Sequence, residues 1–302
     1  MTSDTQELYG SEMVTRTGTT IMDSVEIFNC SQIDTFKAAI RFESAATLPS
    51  SITNSAIHNG YAWGLHITGS SNINVTDNVF FNFRPIGLGV QKSRNCTIDN
   101  NVVAGIIERT TIETLDQVVD KAGGISICAY SGDDDPCTDI KVRNNLVSGS
   151  VYAGFVMPGH DCGDTSGRYS GNVAHSVHGF KSGLGLFFKN SASQPDCTEY
   201  SDFKAYKCYY QGAFGWPETK RVIMRDMVMI DNKEGVGSNI VNKATEFDLD
   251  VVSITYRNMH VYGESEIPDC PQNGNGGYCF KIDKYGFFAG GGIWKGKGFH
   301  ID

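Results

Sequence analysis

Short apolar runs alternate with polar turns along most of this chain, and they recur in a constant order. Three copies are clearest: Ile73-Asn74-Val75-Thr76-Asp77-Asn78-Val79-Phe80, Thr97-Ile98-Asp99-Asn100-Asn101-Val102-Val103 and Ile140-Lys141-Val142-Arg143-Asn144-Asn145-Leu146-Val147. Alternation with period two over so few residues predicts strands, because successive strand side chains point to opposite faces. The marker asparagines Asn78 and Asn101 stand about 23 residues apart, and Asn145 follows after about 44, which reads as two steps with one irregular copy. Between markers a second strand repeatedly follows glycine, at Gly64-Leu65-His66-Ile67, Gly87-Leu88-Gly89-Val90, Gly124-Ile125-Ser126-Ile127, Gly154-Phe155-Val156-Met157 and Gly185-Leu186-Phe187-Phe188. Weaker copies continue at Asn172, Asp226 and Asn258 with wider spacing.

A period of this size gives one coil of two or three strands that cannot bury its apolar face alone, so each coil stacks on the next. The predicted fold is all-β: a single-stranded right-handed parallel β-helix, forming one domain over 1–302. Asparagine suits the marker position on two grounds. It tolerates left-handed backbone, and equivalent amides in successive coils can bond as a ladder. One segment departs from the strand pattern. In 110–123, Ile112, Leu115, Val118 and Val119 share a helical face, Thr110 and Glu113 form a capping box and Gly123 supplies a stop. A short helix inserted in a turn is expected there. Strand material running up to the C-terminus leads to the further expectation that the chain is a segment of a longer ectodomain, its solenoid ends covered by other domains or surface proteins.

Composition narrows the setting. The formal net charge is −9 with no Lys/Arg block, so nucleic acid and anionic membrane are poor partners. No apolar run is long enough to span a bilayer, so direct membrane insertion of this segment is not expected. Nine cysteines include two pairs that bracket turn-rich loops, Cys128 with Cys137 and Cys270 with Cys279, and Cys162 and Cys197 flank a third stretch. Such spacing suits disulfides and an oxidising compartment, and it lacks the Cys-x-x-Cys of metal sites. Cys30, Cys96 and Cys208 remain as a further group with one thiol left over. Asn29, Asn74 and Asn95 open N-glycosylation sequons.

The segment Val156-Met157-Pro158-Gly159-His160-Asp161-Cys162, followed by Gly171-Asn172-Val173-Ala174-His175-Ser176, resembles the β-helix region of the fibrocystin and fibrocystin-L family. Val25-Glu26-Ile27-Phe28-Asn29-Cys30, Ser51-Ile52-Thr53-Asn54-Ser55-Ala56-Ile57-His58 and Asp196-Cys197-Thr198-Glu199 extend the likeness over roughly residues 20–260. The resemblance implies a β-helix within a large cell-surface or ciliary-surface ectodomain. Related architecture occurs in cell-surface hyaluronidases, so carbohydrate chemistry stays open beside it.

A β-helix that cleaves polysaccharide needs carboxylates converging from neighbouring coils. The conspicuous cluster, Asp133-Asp134-Asp135, is instead consecutive, beside Pro136 and between paired cysteines, and reads as a solvated loop tip. His160, His175 and His178 could approach a metal, but the three-residue step between the last two places them on opposite faces of a strand, one inside the turn and one exposed. Trp63, Phe83, Tyr209, Tyr210 and Trp216 could stack on sugars, or simply pack. No catalytic, metal or cofactor set emerges. The function expected is a non-enzymatic extracellular structural or adhesion segment, with a polysaccharide-processing enzyme or a glycan-binding module as alternatives.

Overall fold

In the computed structural model, residues 10–32, 37–44, 48–107, 122–128, 137–188, 197–215, 221–238, 253–262, 285–288 and 299–301 are described. They form 27 strands and no helix, wound as a right-handed parallel solenoid of about seven turns. One coil shows the rule. Leu65–Thr68 lies in the first sheet, Ile73–Thr76 in the second and Val79–Phe81 in the third, and the next coil begins with Ile86–Gln91. Each strand of this coil pairs in parallel with its equivalent in the next, as in Leu65↔Leu88, Val75↔Ile98 and Phe80↔Val103. The three sheets contain ten, five and twelve strands.

Period two now acquires a physical cause. Ile52, Val75, Ile98 and Val142 stack inward from the second sheet and are buried, while the residues between them face outward. Burying one such side chain contributes about 1.5–3 kcal/mol. The inward columns of the other sheets, Leu65–Leu88–Ile125–Phe155 and Phe80–Val103–Val147–Ala174, close the same core.

The asparagine ladder forms, and its geometry corrects one expectation. Asn78, Asn101, Asn145 and Asn172 are buried, and each Nδ2 donates to the Oδ1 of the next at 3.0, 3.0 and 3.1 Å. Each Oδ1 beyond the first also accepts the backbone N–H of the preceding marker, and the Nδ2 of Asn78, Asn101 and Asn145 reaches back to the carbonyls of Ile52, Val75 and Ile98. The left-handed backbone belongs to the residue before the marker: Asp77, Asn100 and Asn144 have φ of 59°, 54° and 54°. Turning the chain there aims the marker inward, where backbone groups at the corner have no water to bond. Past Asn172 the corner persists at Asp202, Asp226 and Asn258, all with positive φ, but the following positions are Phe203, Met227 and Met259. The ladder gives way to apolar packing, and the sequence signal fades accordingly.

The interval of 44 residues is also not two coils. Asn101 N–H bonds Asn145 Oδ1 at 2.9 Å, so these markers lie on adjacent coils. In sequence, the additional residues fall between Ile107 and Ala122 and between Cys128 and Cys137, before and after the strand Gly123–Ile127. The helix expected at 110–123 lies outside the described residues except at its end, where Gly123 opens a strand rather than stopping a helix.

A glycine column marks the entry to the first sheet. At Gly64, Gly87, Gly124, Gly154, Gly185 and Gly212 an added Cβ would lie 2.4–3.0 Å from the carbonyl oxygen of the equivalent glycine one coil on. It would also meet the inward column of the third sheet: Val103 Cγ1 at 2.3 Å from Gly87 and Val147 Cγ1 at 2.3 Å from Gly124. Only hydrogen fits where the chain passes this close to its neighbour.

Candidate functional site

The three sheets present three chemically different outer faces. The second sheet is polar in its described outer columns apart from exposed Ile21 at its first strand, with Ser51, Asn74, Thr97 and Lys141 in one column and Asp23, Thr53, Thr76, Asp99 and Arg143 in the other. Arg143 donates to Asp99 at 2.8 Å, and Thr53 and Asn54 donate to Asp23 at 3.0 and 2.9 Å. Those bonds hold the Asp23 carboxyl below its ordinary pKa, the Asn54 bond most of all.

From Leu65–Thr68 onward the first sheet is buried on its outer side as well, whereas Met13 and Val14 of its first strand are exposed. Ala38, Trp63 and Ile86 form one apolar cluster there, and Ala153, Val156, Leu184 and Phe187 form another. Gly89 makes room for the Trp63 indole, whose Cζ3 lies 2.8 Å from where a Cβ would stand. A polar network borders this face. Arg41 lies between Glu12 at 3.3 Å and Glu43 at 3.5 Å, Arg16 binds Glu43 at 3.0 Å, and buried His66 bonds Gln91 at 3.0 Å beside the Trp63 ring. Glu12 and Glu43 come from neighbouring coils, the arrangement that acid/base chemistry would require. A general acid needs a raised carboxyl pKa. The hydrogen bond from Arg16, followed by the charge of Arg41, moves Glu43 the other way, and burial keeps His66 below the usual imidazole range. The two glutamates and two arginines make this rim balanced in charge.

The third sheet carries exposed apolar side chains on its outer face. Phe28, Val79 and Phe81 are 57%, 44% and 49% exposed, and half-buried Val102, Leu146 and Val173 continue this stripe, until exposed Lys204 separates them from half-buried Val228 and Ile230; Glu26 and His58 interrupt it near Phe28. Tyr206 stacks on His175 with ring centroids 4.7 Å apart, and Phe28 on His58 at 5.9 Å. Exposed apolar side chains grouped on one sheet face exceed what scattered surface residues present. Reading the sequence for inward residues passed over it. The signal was in the runs Val79-Phe80-Phe81 and Leu146-Val147, which are apolar on both sides of the inward residue.

The family-like motif folds into the one antiparallel pair among the described residues, His160–Asp161 against Cys197–Ser201. A Cys162–Cys197 disulfide ties it down. Buried Glu199 accepts from Arg225 Nε and from the Gly163 N–H at 3.1 Å, and His160 Nε2 meets Ser201 Oγ at 3.2 Å. A second disulfide joins Cys128 and Cys137. Cys30, Cys96 and Cys208, the further group, are free and buried. Burial pushes the Cys30 and Cys96 thiols up to about 11 and Cys208 to about 12.

The remaining sequence candidates scatter. Asn29, Asn74 and Asn95 are all exposed. His175 and His178 are both half-buried on either side of a corner, neither inside it nor exposed, and His160 sits in the disulfide-tied pair away from them. Among the described residues no group of three or more His, Cys, Asp or Glu could hold a metal ion. Trp63 and Phe83 are buried, Tyr209 is exposed, and Tyr210 is half-buried under Lys233 Nζ at 5.3 Å, so these aromatics do not line one strip. Asp133–Asp135, Trp216, Cys270 and Cys279 lie outside the described residues.

Comparison with known proteins agrees with this geometry. Residues 11–163 match the family described as right handed beta helix region. Fibrocystin of the dog, Canis lupus familiaris, is 28% identical over 239 residues, which is 78% of this chain and 5% of that protein. Mouse fibrocystin, from Mus musculus, is 29% identical over 232 residues, 74% of this chain and 5% of that protein. The chain thus spans about 5% of the length of these curated relatives. With its coils, ladder and matched segment all in agreement, the chain belongs to the right-handed β-helix family and is a fibrocystin-like β-helix region.

Proposed function

We propose that this solenoid is a non-enzymatic extracellular contact segment, a rigid stack on a cell or ciliary surface that packs against other extracellular domains or surface proteins. The observation carrying the reading is the set of exposed apolar side chains on the third sheet, Phe28, Val79 and Phe81 foremost, beside a second sheet that is polar except at Ile21 and a first sheet buried on both sides from Leu65–Thr68 onward. A partner that covers Phe81 and Val79 removes apolar surface from water without reorganising the coil beneath. The two disulfides fit an oxidising compartment. The arginine-neutralised Glu43 fits a structural role better than the general acid of a polysaccharide-processing enzyme.

Adhesion of beads coated with the secreted, disulfide-bonded chain to ciliated epithelial cells tests the proposal. Phe81→Glu should lower adhesion by about tenfold or more, since it exchanges a burial worth about 1.5–3 kcal/mol for a desolvated charge. The melting temperature should stay unchanged, because this side chain faces away from the core. Equal adhesion of wild type and variant, or release of new reducing ends from a polysaccharide panel, would overturn it.

A further inference from the structure

We infer that Asn74 carries an N-linked glycan, placed so that sugar covers the second sheet and leaves the apolar third sheet bare. The inference rests on the extracellular reading above and adds to it a covalent ligand and an orientation.

Asn74-Val75-Thr76 is a sequon within Ile73–Thr76, a central strand of the five-stranded second sheet. Asn74 is exposed and points away from the core, while its neighbours Ile73 and Val75 point in. In register on either side stand Ser51 and Thr97, small hydroxyl side chains that leave room for a first sugar and offer it hydrogen bonds. The amide makes no side-chain hydrogen bond among the described residues, so substitution at Nδ2 costs no native contact.

The other two sequons are less favourable. Asn95 is at a left-handed corner with φ 50°, and its Nδ2 donates to Asn72 Oδ1 in an outer ladder. Asn29 is also left-handed, with φ 50°, and its third residue, Ser31, is fully buried with Oγ accepting from the Ala62 N–H at 2.8 Å. Asn74 lies in the second sheet, so its glycan and the contact stripe do not compete for one face, whereas Asn29 directly follows exposed Phe28 at the end of a third-sheet strand.

The covalent step is transfer from a lipid-diphosphate-linked oligosaccharide. The Asn74 Nδ2–C1 bond forms, the C1–oxygen bond to the lipid diphosphate breaks, and the amide gives up one proton. No oxidant or metal redox change is required. Nδ2 retains one N–H, which can bond an acetamido group of the first sugar or Ser51.

The full chain, secreted from animal cells behind a cleavable leader, is digested with and without peptide-N-glycosidase in ¹⁸O water and its peptides are weighed. The expected result is ¹⁸O-labelled aspartate at position 74 after treatment. Thr76→Ala should abolish the label while leaving Asn74 in place, and its bead adhesion should equal wild type. Secreted protein with both disulfides formed and Asn74 unmodified would overturn this inference alone. Secreted protein with all its thiols free would overturn the extracellular reading and the glycan together. Loss of adhesion in Thr76→Ala would show that the glycan belongs to the contact surface and would overturn the division of faces.

Discussion

At the scale of single residues, the paired asparagines of each corner do opposite jobs. Asn100 adopts the left-handed conformation that turns the chain, and its side chain is exposed. Asn101 is buried, donates to Val75 O at 2.9 Å and to Asn145 Oδ1 at 3.0 Å, and accepts from the Asn78 N–H at 3.1 Å. Removing its amide strands several polar groups away from water, each costing about 1–3 kcal/mol. Asn101→Ala should therefore destabilise the fold by about 3 kcal/mol or more in urea denaturation. Asn100→Gly should stay within about 0.5 kcal/mol, because glycine takes the left-handed conformation freely. A β-branched Asn100→Val should cost about 1–2 kcal/mol. Equal effects of Asn101→Ala and Asn100→Gly would show that the turn, rather than the ladder, holds the corner.

At the scale of elements, the entry glycine of each first-sheet strand is a packing requirement. Gly124 faces Val147 Cγ1 at 2.3 Å and the Gly154 carbonyl oxygen at 3.0 Å from its notional Cβ. Gly124→Ala should cost about 1–3 kcal/mol through overpacking. Val147→Ala alone leaves a cavity, but the double variant should be less destabilised than the two single losses together, because the new methyl occupies the vacated space. Strict additivity in that cycle would mean that the backbone, not Val147, absorbs the clash. The glycine column and the marker ladder were legible in the sequence because each coil repeats the same local demand within a few residues. Other features were not. The 44-residue interval could not be told from two coils, since the corners tolerate extra chain while strand pairing is set by the third dimension. The antiparallel pair at His160 depends on a disulfide to Cys197, 35 residues on, which spacing alone does not specify. The apolar stripe was missed because inward and outward apolar residues look alike until the register is known.

For the whole molecule, stability is a sum over neighbouring coils, so it can be divided where the coupling between coils is thinnest. The pairing pattern changes in the segment between Met157 and Gly171. The five-stranded second sheet ends at Lys141–Arg143, where the Val142 and Asn144 N–H groups still bond the Arg168 and Ser170 carbonyls of the next coil at 2.8 and 3.0 Å, and His160–Asp161 pairs antiparallel. The first and third sheets do continue across the gap, through Phe155↔Leu186 and Leu146↔Val173, and buried Glu199 bridges it by bonding Arg225 and the Gly163 N–H. Two disulfides then act at different ranges. Cys128–Cys137 closes a separation of 9 residues within one corner, whereas Cys162–Cys197 closes 35 and ties one coil to the next. Loop-closure entropy alone sets upper values of about 3 and about 4 kcal/mol for the two. Replacing Cys128 and Cys137 by serine should lower the urea midpoint with an unchanged slope, since the stack still melts as one unit. Replacing Cys162 and Cys197 should also reduce the slope or split the transition, because the coils on either side lose their covalent tie where the regular second sheet breaks off. Circular dichroism followed through a urea titration reads both quantities. A single transition of unchanged slope in both double variants would mean that the first and third sheets suffice to couple the two halves of the stack.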